Sequence, residues 1–423
     1  MSDSAVFELV CGAQSYDWGK LGKDGSKVSH FAQGLPDFEY DQEKPYAELW
    51  MGTHPSCPST LLESGADLKE YLSQHPELLG DKVIDKFGGK DLPFLFKVLA
   101  IRKALSIQAH PDKELAKRLH DEKSNVYKDP NHKPEMAVAL TDFSGFCGFR
   151  PPSQIAAFLS SVPEFSTVIG SSVSSSFQSH FSASASPSES DKKQGLQEMF
   201  SALMKADEQL VKSQVESLLA RLQGAEGIDK AEKELVETLN RDFPGDVGIF
   251  CTFVLNIVRL KPGEAVFLKA NEPHAYLDGD IMECMATSDN VVRAGLTPKL
   301  RDVPTLTTML TYTSSPPSEQ ILPPVPFRAT KHTTLYDPPI DEFSVLLTVL
   351  EEGETEQFEG IDGPSILIFT ELGATGAGGH ARLGQRDVER EGQVFFVGAG
   401  EPVEIEAKKG RVVAYRAFVE AEA

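Results

Sequence analysis

Gly263-Glu-Ala-Val-Phe-Leu-Lys-Ala-Asn-Glu-Pro-His274 aligns without gaps with Gly392-Gln-Val-Phe-Phe-Val-Gly-Ala-Gly-Glu-Pro-Val403, at an offset of 129 residues. Glycine, phenylalanine, alanine, glutamate and proline coincide, and the apolar run falls in register. A glycine turn, a short strand, a second turn and an outgoing strand form the hairpin expected of a jelly roll, so the repeat predicts two barrels. Its two copies differ at the end, His274 against Val403. Valine binds no metal, which leaves the first barrel as the only candidate to carry a metal site.

Outward from the repeat, short apolar runs broken by turn residues continue from Tyr46 to Arg150 and resume at Gly248, which reads as β structure. Brief helices are expected over Asp67–Gln74, Asp112–His120 and Val303–Leu310. Between these β regions the texture changes. Pro151-Pro-Ser-Gln-Ile-Ala-Ala-Phe-Leu159 looks like a proline-started helix, and apolar stripes mark further helices over Leu196–Leu222 and Ala231–Leu239. The intervening segment 171–190 is serine at 11 of 20 positions and reads as a flexible surface loop. The predicted fold is mainly β with a helical insertion. Residues 1–150 and 246–325 form the first barrel in two parts, 151–245 the α-helical insertion, and 326–423 a C-terminal barrel without a metal site.

The 423 residues carry 41 Lys+Arg against 63 Asp+Glu, a net charge of −22, with 40% hydrophobic and 25% charged residues. That is a globular composition, and its acidity argues against nucleic acid or an anionic membrane as partner. The N-terminus MSDSAVFELV lacks a charged region followed by a long apolar one, and no apolar run approaches the ~18 residues of a membrane span. Five scattered cysteines with no C-x-x-C fit a reducing compartment, so a cytoplasmic location is expected. Gly373–Gly379 lacks the following helix that a dinucleotide fingerprint requires and is read as a turn.

The chemistry gathers in three short motifs. In Leu105-Ser-Ile-Gln-Ala-His-Pro111, alternate side chains of an extended strand share a face, so Ser106, Gln108 and His110 point together, and Pro111 holds His110 extended. In Asn131-His-Lys-Pro-Glu-Met-Ala-Val-Ala-Leu140, Glu135 shares a strand face with Ala137 and Ala139, which leave space beside its carboxylate. The third, Ala270-Asn-Glu-Pro-His-Ala-Tyr276, is a turn that delivers His274 at a barrel mouth. Each alone has an ordinary structural explanation. Together, two imidazoles, one carboxylate and one amide oxygen suit a divalent cation with an exchangeable position. One anionic ligand leaves a residual positive field able to polarise a carbonyl or orient water. The run Ser288-Asp-Asn-Val-Val-Arg-Ala-Gly-Leu-Thr-Pro-Lys299 adds a basic pair around a glycine turn, Arg293 and Lys299, suited to an anion.

These residues resemble type I mannose-6-phosphate isomerase, also called phosphomannose isomerase. The matching stretches are Tyr16-Asp-Trp-Gly-Lys20, Tyr46-Ala-Glu-Leu-Trp-Met-Gly-Thr-His-Pro55, Leu92-Pro-Phe-Leu-Phe-Lys-Val-Leu99, Ser106-Ile-Gln-Ala-His-Pro111, His132-Lys-Pro-Glu135, Phe146-Cys-Gly-Phe-Arg150, Pro273-His-Ala-Tyr276 and Ser288 to Lys299. Their order and spacing agree along nearly the whole chain; the serine-rich segment follows no family motif. The resemblance implies two cupin-like barrels around a helical insertion, and one Zn2+ per chain on Gln108, His110, Glu135 and His274. It also implies interconversion of D-mannose 6-phosphate and D-fructose 6-phosphate, which feeds GDP-mannose synthesis and protein glycosylation.

Such an isomerisation moves a proton between C2 and C1 through an enediol or enediolate, and needs a base, a proton carrier and positive charge beside the developing oxyanion. The resemblance places the active-site arginine at Arg293. Glu283 and His54 are the candidates for proton transfer. Ser106, Lys133, Lys299, Tyr276 and Asp289 are the expected substrate and phosphate contacts. The expected partner is a small-molecule sugar phosphate, and the expected state is a monomer. Two other readings use the same residues: an iron-dependent cupin oxygenase, since two histidines and a carboxylate also make a facial triad, and a non-enzymatic sugar-binding cupin.

Overall fold

The computed structural model describes residues 5–182, 185–373 and 378–421. It is mainly β with several helices. In an 11-stranded sheet the strands that matter for function are β1 (Glu48–Met51), β2 (Phe94–Ile101), β3 (Ile107–Ala109), β4 (Glu135–Ala139), β5 (Phe143–Phe149), β6 (Leu255–Leu260), β7 (Ala265–Leu268), β8 (His274–Ala286) and β9 (Val292–Gly295). The long strand β8 organises the sheet: its first residues pair with β5 and β3, and its remainder with β2 and β4. The two halves meet at Gly279, whose φ of +117° only glycine adopts freely. A Cβ there would lie 2.6 Å from the Asp142 carbonyl oxygen. Folded in this way, the sheet closes on a core of Leu99, Ala137, Phe143, Val258, Val266 and Ile281.

An eight-stranded and a four-stranded sheet form a second β unit, with β10 (Ser344–Leu350), β11 (Ser365–Leu372), β12 (Val394–Val397), β13 (Val403–Lys409) and β14 (Val412–Phe418). Its own core includes Leu346, Leu367, Phe395, Ile405 and Ala414. The opposite faces of its strands pack on the 11-stranded sheet through Ile366, Phe396 and Tyr415 against Phe96, Met136 and Met282. The repeat occupies equivalent hairpins in the two units. Gly263 and Gly392 have φ of +84° and +83°, the four-residue strands β7 and β12 follow at the same offset, and β8 and β13 begin at His274 and Val403.

Two sequence expectations are corrected. The division that assigned residues 1–150 to the first barrel put the N-terminal strand there, but Val6–Val10 pairs antiparallel with β12 in the eight-stranded sheet. It covers an edge of β12 that would otherwise leave backbone groups unpaired. The second correction concerns the segment 171–190, read as a flexible loop, in which Ser171–His180 is helical. Phe177 is buried there, and its ring lies 4.6 Å from that of buried Phe181. Ser179 Oγ donates back to the Ser175 carbonyl, so the serines do not compete with the helix. Packing of two phenylalanines overrides the composition. Residues 183–184 of that segment, and 374–377 of the expected glycine-rich turn, lie outside the described residues.

The helices Pro152–Ser161, Pro163–Ile169, Ser171–His180, Glu189–Met204, Glu208–Arg221 and Lys230–Asp242 follow one another between β5 and β6. The apolar stripe legible from Leu196 onward belongs to two of them, and Ser188 and Asp191 form a capping box that starts the first at Glu189. Their shared core reaches the sheet through Ile107, Ala109, Val292 and Ala294. No helix among the described residues is long and apolar enough to cross a membrane.

Candidate metal centre and active site

Strand register aligns the site. Cys147, His274, Gln108 and Arg293 are neighbours across β5, β8, β3 and β9, so their side chains leave the same face. His110 follows β3, and Glu135 opens β4 opposite Met285 of β8. One convergence point results: His110, Glu135 and His274 offer ligand atoms all within 4.8 Å of one another, and this is the one such group among the described residues.

The cluster is buried at 1–2% exposure, and its polarity is arranged for a cation. His110 Nε2 lies 3.4 Å from Glu135 Oε1, and His274 Nε2 3.4 Å from Oε2. The other ring nitrogens are fixed by carbonyls: His110 Nδ1 lies 2.6 Å from the Asn290 oxygen and His274 Nδ1 3.1 Å from that of Glu272. Each Nδ1 therefore carries the proton, and each Nε2 turns a lone pair toward the carboxylate. Two lone pairs and a carboxylate face one another with no proton between the imidazoles and Glu135, and neither Nε2 atom has a hydrogen-bond partner among the described residues. The Lys133 ammonium, 2.7 Å from Glu135 Oε1, offsets part of the charge. Burial pushes the His110 imidazole down to about 4, against the pull of Glu135. Burial alone would raise Glu135, but the Lys133 ammonium opposes it and the carboxyl is held well below the usual range. Four buried atoms that accept and cannot donate fit a divalent cation. Gln108 stands beside His274 to add a neutral oxygen, with Ser106 Oγ donating toward its Oε1 at 3.5 Å.

Asp129 supports this centre from outside. Its Oδ1 accepts from Ser288 Oγ and the Asn131 amide, and its carbonyl from the Asn290 side chain. Asn290 is thereby held with its carbonyl on His110.

A second group of charges lies on the same face deeper along β8. Glu283 pairs in register with Lys97 on one side and Ala137 on the other. Tyr276 Oη donates to Glu283 Oε1 at 2.9 Å, and Lys97 Nζ lies 3.3 Å from Oε2. Lys97 also lies 3.6 Å from Glu48 Oε2 and 4.6 Å from the centre of the Trp50 ring, whose N–H bonds Glu48. Burial raises the Glu283 carboxyl, partly opposed by Lys97. Burial, with Glu283 beside it, also raises the Tyr276 phenol, which stays a donor. Lys97 stays charged, because Glu48 and Glu283 outweigh the cost of its burial.

His54 packs edge-on to Trp50, and its Nδ1 accepts from the Ser56 amide. A neutral ring then carries its proton on Nε2, which lies 3.7 Å from Asp289 Oδ1. Burial lowers its pKa. Arg293 is half-buried, and its guanidinium has no ion pair or hydrogen bond among the described residues. Lys299 is exposed and lines a crevice of about 840 Å³ with Lys103, Lys205, Lys212 and Arg301, to which none of the four candidate ligands contributes.

Sequence reasoning missed Lys97, Glu48 and Asp129. Lys97 had a signal: it is the one charge in Phe94–Ile101, an otherwise apolar run buried throughout. Asp129, in a polar loop, had none.

Comparison with known proteins matches residues 6–152 to the family described as Phosphomannose isomerase type I, catalytic domain, residues 168–255 to its helical insertion domain and 334–373 to its C-terminal part. The chain is 50% identical to mannose-6-phosphate isomerase of Cryptococcus neoformans and 47% identical to that of Saccharomyces cerevisiae, with at least 98% of each chain covered. A zinc-bound mannose 6-phosphate isomerase superposes with a TM-score of 0.80 at 29% identity, over 99% of this chain and 100% of that one. A point variant of phosphomannose isomerase from Salmonella typhimurium gives 0.81 at 29%, with the same coverage.

Proposed function

The chain belongs to the type I phosphomannose isomerase family, and from that premise we propose that it interconverts D-mannose 6-phosphate and D-fructose 6-phosphate with one Zn2+ held by Gln108, His110, Glu135 and His274. The observation that carries the metal reading is the set of buried acceptor atoms on His110, Glu135 and His274 that converge with no donor among the three. Bound there, zinc supplies fixed positive charge beside the sugar oxygens. In this reading the two β units are cupin-like jelly rolls, and the product supplies mannose for GDP-mannose synthesis in the cytoplasm.

The chain's own residues divide the proton work. Glu283, with its carboxyl raised by burial and both oxygens held by Tyr276 and Lys97, removes the proton from C2 and returns it to C1. His54 offers an N–H through Nε2 while the Ser56 amide occupies Nδ1, so it serves as a donor rather than the base. Arg293 has no competing carboxylate among the described residues and lies on the ligand face, so its guanidinium meets the enediolate oxygen. Ser106, Lys133, Tyr276, Asp289 and Lys299 orient the sugar phosphate around this line.

A coupled assay of mannose 6-phosphate conversion, run before and after chelation and again after zinc readdition, tests substrate, reaction and metal together. Turnover that is lost on chelation and regained with zinc is the expected result; full activity in the metal-free protein would refute the metal assignment.

A further inference from the structure

Glu342 lies in the loop 337–343, between the strand Thr333–Tyr336 and β10 of the second β unit, yet its carboxylate is buried against the first. Its Oε1 is 2.7 Å from His132 Nε2 and 2.7 Å from Lys113 Nζ. These partners sit at matched places. Lys113 begins a helix three residues beyond His110, and His132 stands three residues before Glu135. One carboxylate from the second β unit thus joins the two segments that carry His110 and Glu135. Its other oxygen is buried with no hydrogen-bond partner among the described residues, so the geometry is set by these two contacts. The neighbouring Asp341 makes a different tie, 3.0 Å to Lys86 on the helix Asp81–Phe87, which carries no residue of the cluster.

We propose that Glu342 is a positioning residue through which the second β unit sets the cation affinity of the first. The inference rests on the zinc reading above. Like-signed atoms of His110, Glu135 and His274 repel one another while nothing lies between them, so the site spreads unless its segments are held together. A cross-link outside the cluster lowers the ordering cost at the moment of binding.

The zinc dissociation constant of the full-length apoprotein, measured by competition with a chromophoric chelator, tests this beside urea unfolding of the same apoprotein. Glu342→Gln is expected to weaken zinc about tenfold, and Glu342→Asp to recover part of the loss. Asp341→Asn, which cuts the tie to Lys86, should leave zinc affinity unchanged. With zinc saturating, Glu342→Gln should regain kcat and leave KM for the sugar phosphate in place. Should Glu342→Gln fail to fold, Lys113→Met, made at a largely exposed side chain, should shift zinc affinity in the same direction. Unchanged affinity in the folded variants, or an equal loss in Asp341→Asn, overturns the proposal. Wild-type protein that binds no zinc instead refutes the metal reading itself, which keeps the two failures apart.

Discussion

Arg293 and His274 are neighbours of Gln108 on opposite sides, yet they are expected to fail differently. His274→Ala removes one of the converging lone pairs, so zinc and turnover should vanish together; metal analysis beside the assay reads both, and an active enzyme without metal contradicts the ligand set. Arg293→Ala should retain zinc and lose about a hundredfold in kcat, the usual cost of one donor to a developing oxyanion. A rise in KM alone would assign Arg293 to binding instead. At this scale the candidate ligands were legible, because strand alternation fixes which of Ser106, Gln108 and His110 share a face. The donor state of each imidazole was not legible, because it depends on the Asn290 and Glu272 carbonyls and, for His54, on the Ser56 amide.

At the scale of elements the instructive segment is Ser171–His180. Its serines predict a loop, and its helix exists because Phe177 and Phe181 fill a core shared with Leu196 and Phe200. Phe177→Ala should cost about 3–5 kcal/mol in urea unfolding, whereas Ser175→Ala, on the exposed side, should be nearly neutral. A segment that is only a spacer could be deleted over 171–190 with kcat intact. With this packing, the deletion should first appear as lost stability, and a deletion variant as stable as wild type would contradict it. The strand hairpins were read more securely than the helices, since a glycine turn followed by an apolar run of fixed length is local. Helix Ser171–His180 needs partners far along the chain.

For the whole molecule, the contact between the β units predicts an acid response. Burial would raise the Glu342 carboxyl, but the His132 and Lys113 contacts hold it down to about 2 from its usual 4.5. Its stabilising contribution is therefore complete above pH 4.5 and disappears as pH falls toward 2. Acid unfolding of wild type should steepen in that window, and Glu342→Gln should flatten it; equal slopes would remove the linkage. The sequence by itself determined the mainly β character, the repeat, the helical stretches after Pro151 and the four candidate ligands, because each follows from periodicity, turn chemistry or a motif a few residues long. Only the tertiary structure decided that Val6–Val10 joins the other sheet, that Lys97 lies buried beside Glu283, and that Glu342 reaches across to both ligand-bearing segments. Those contacts join residues more than 180 positions apart, and burial and charge pairing set them once the sheets pack, which no local pattern encodes.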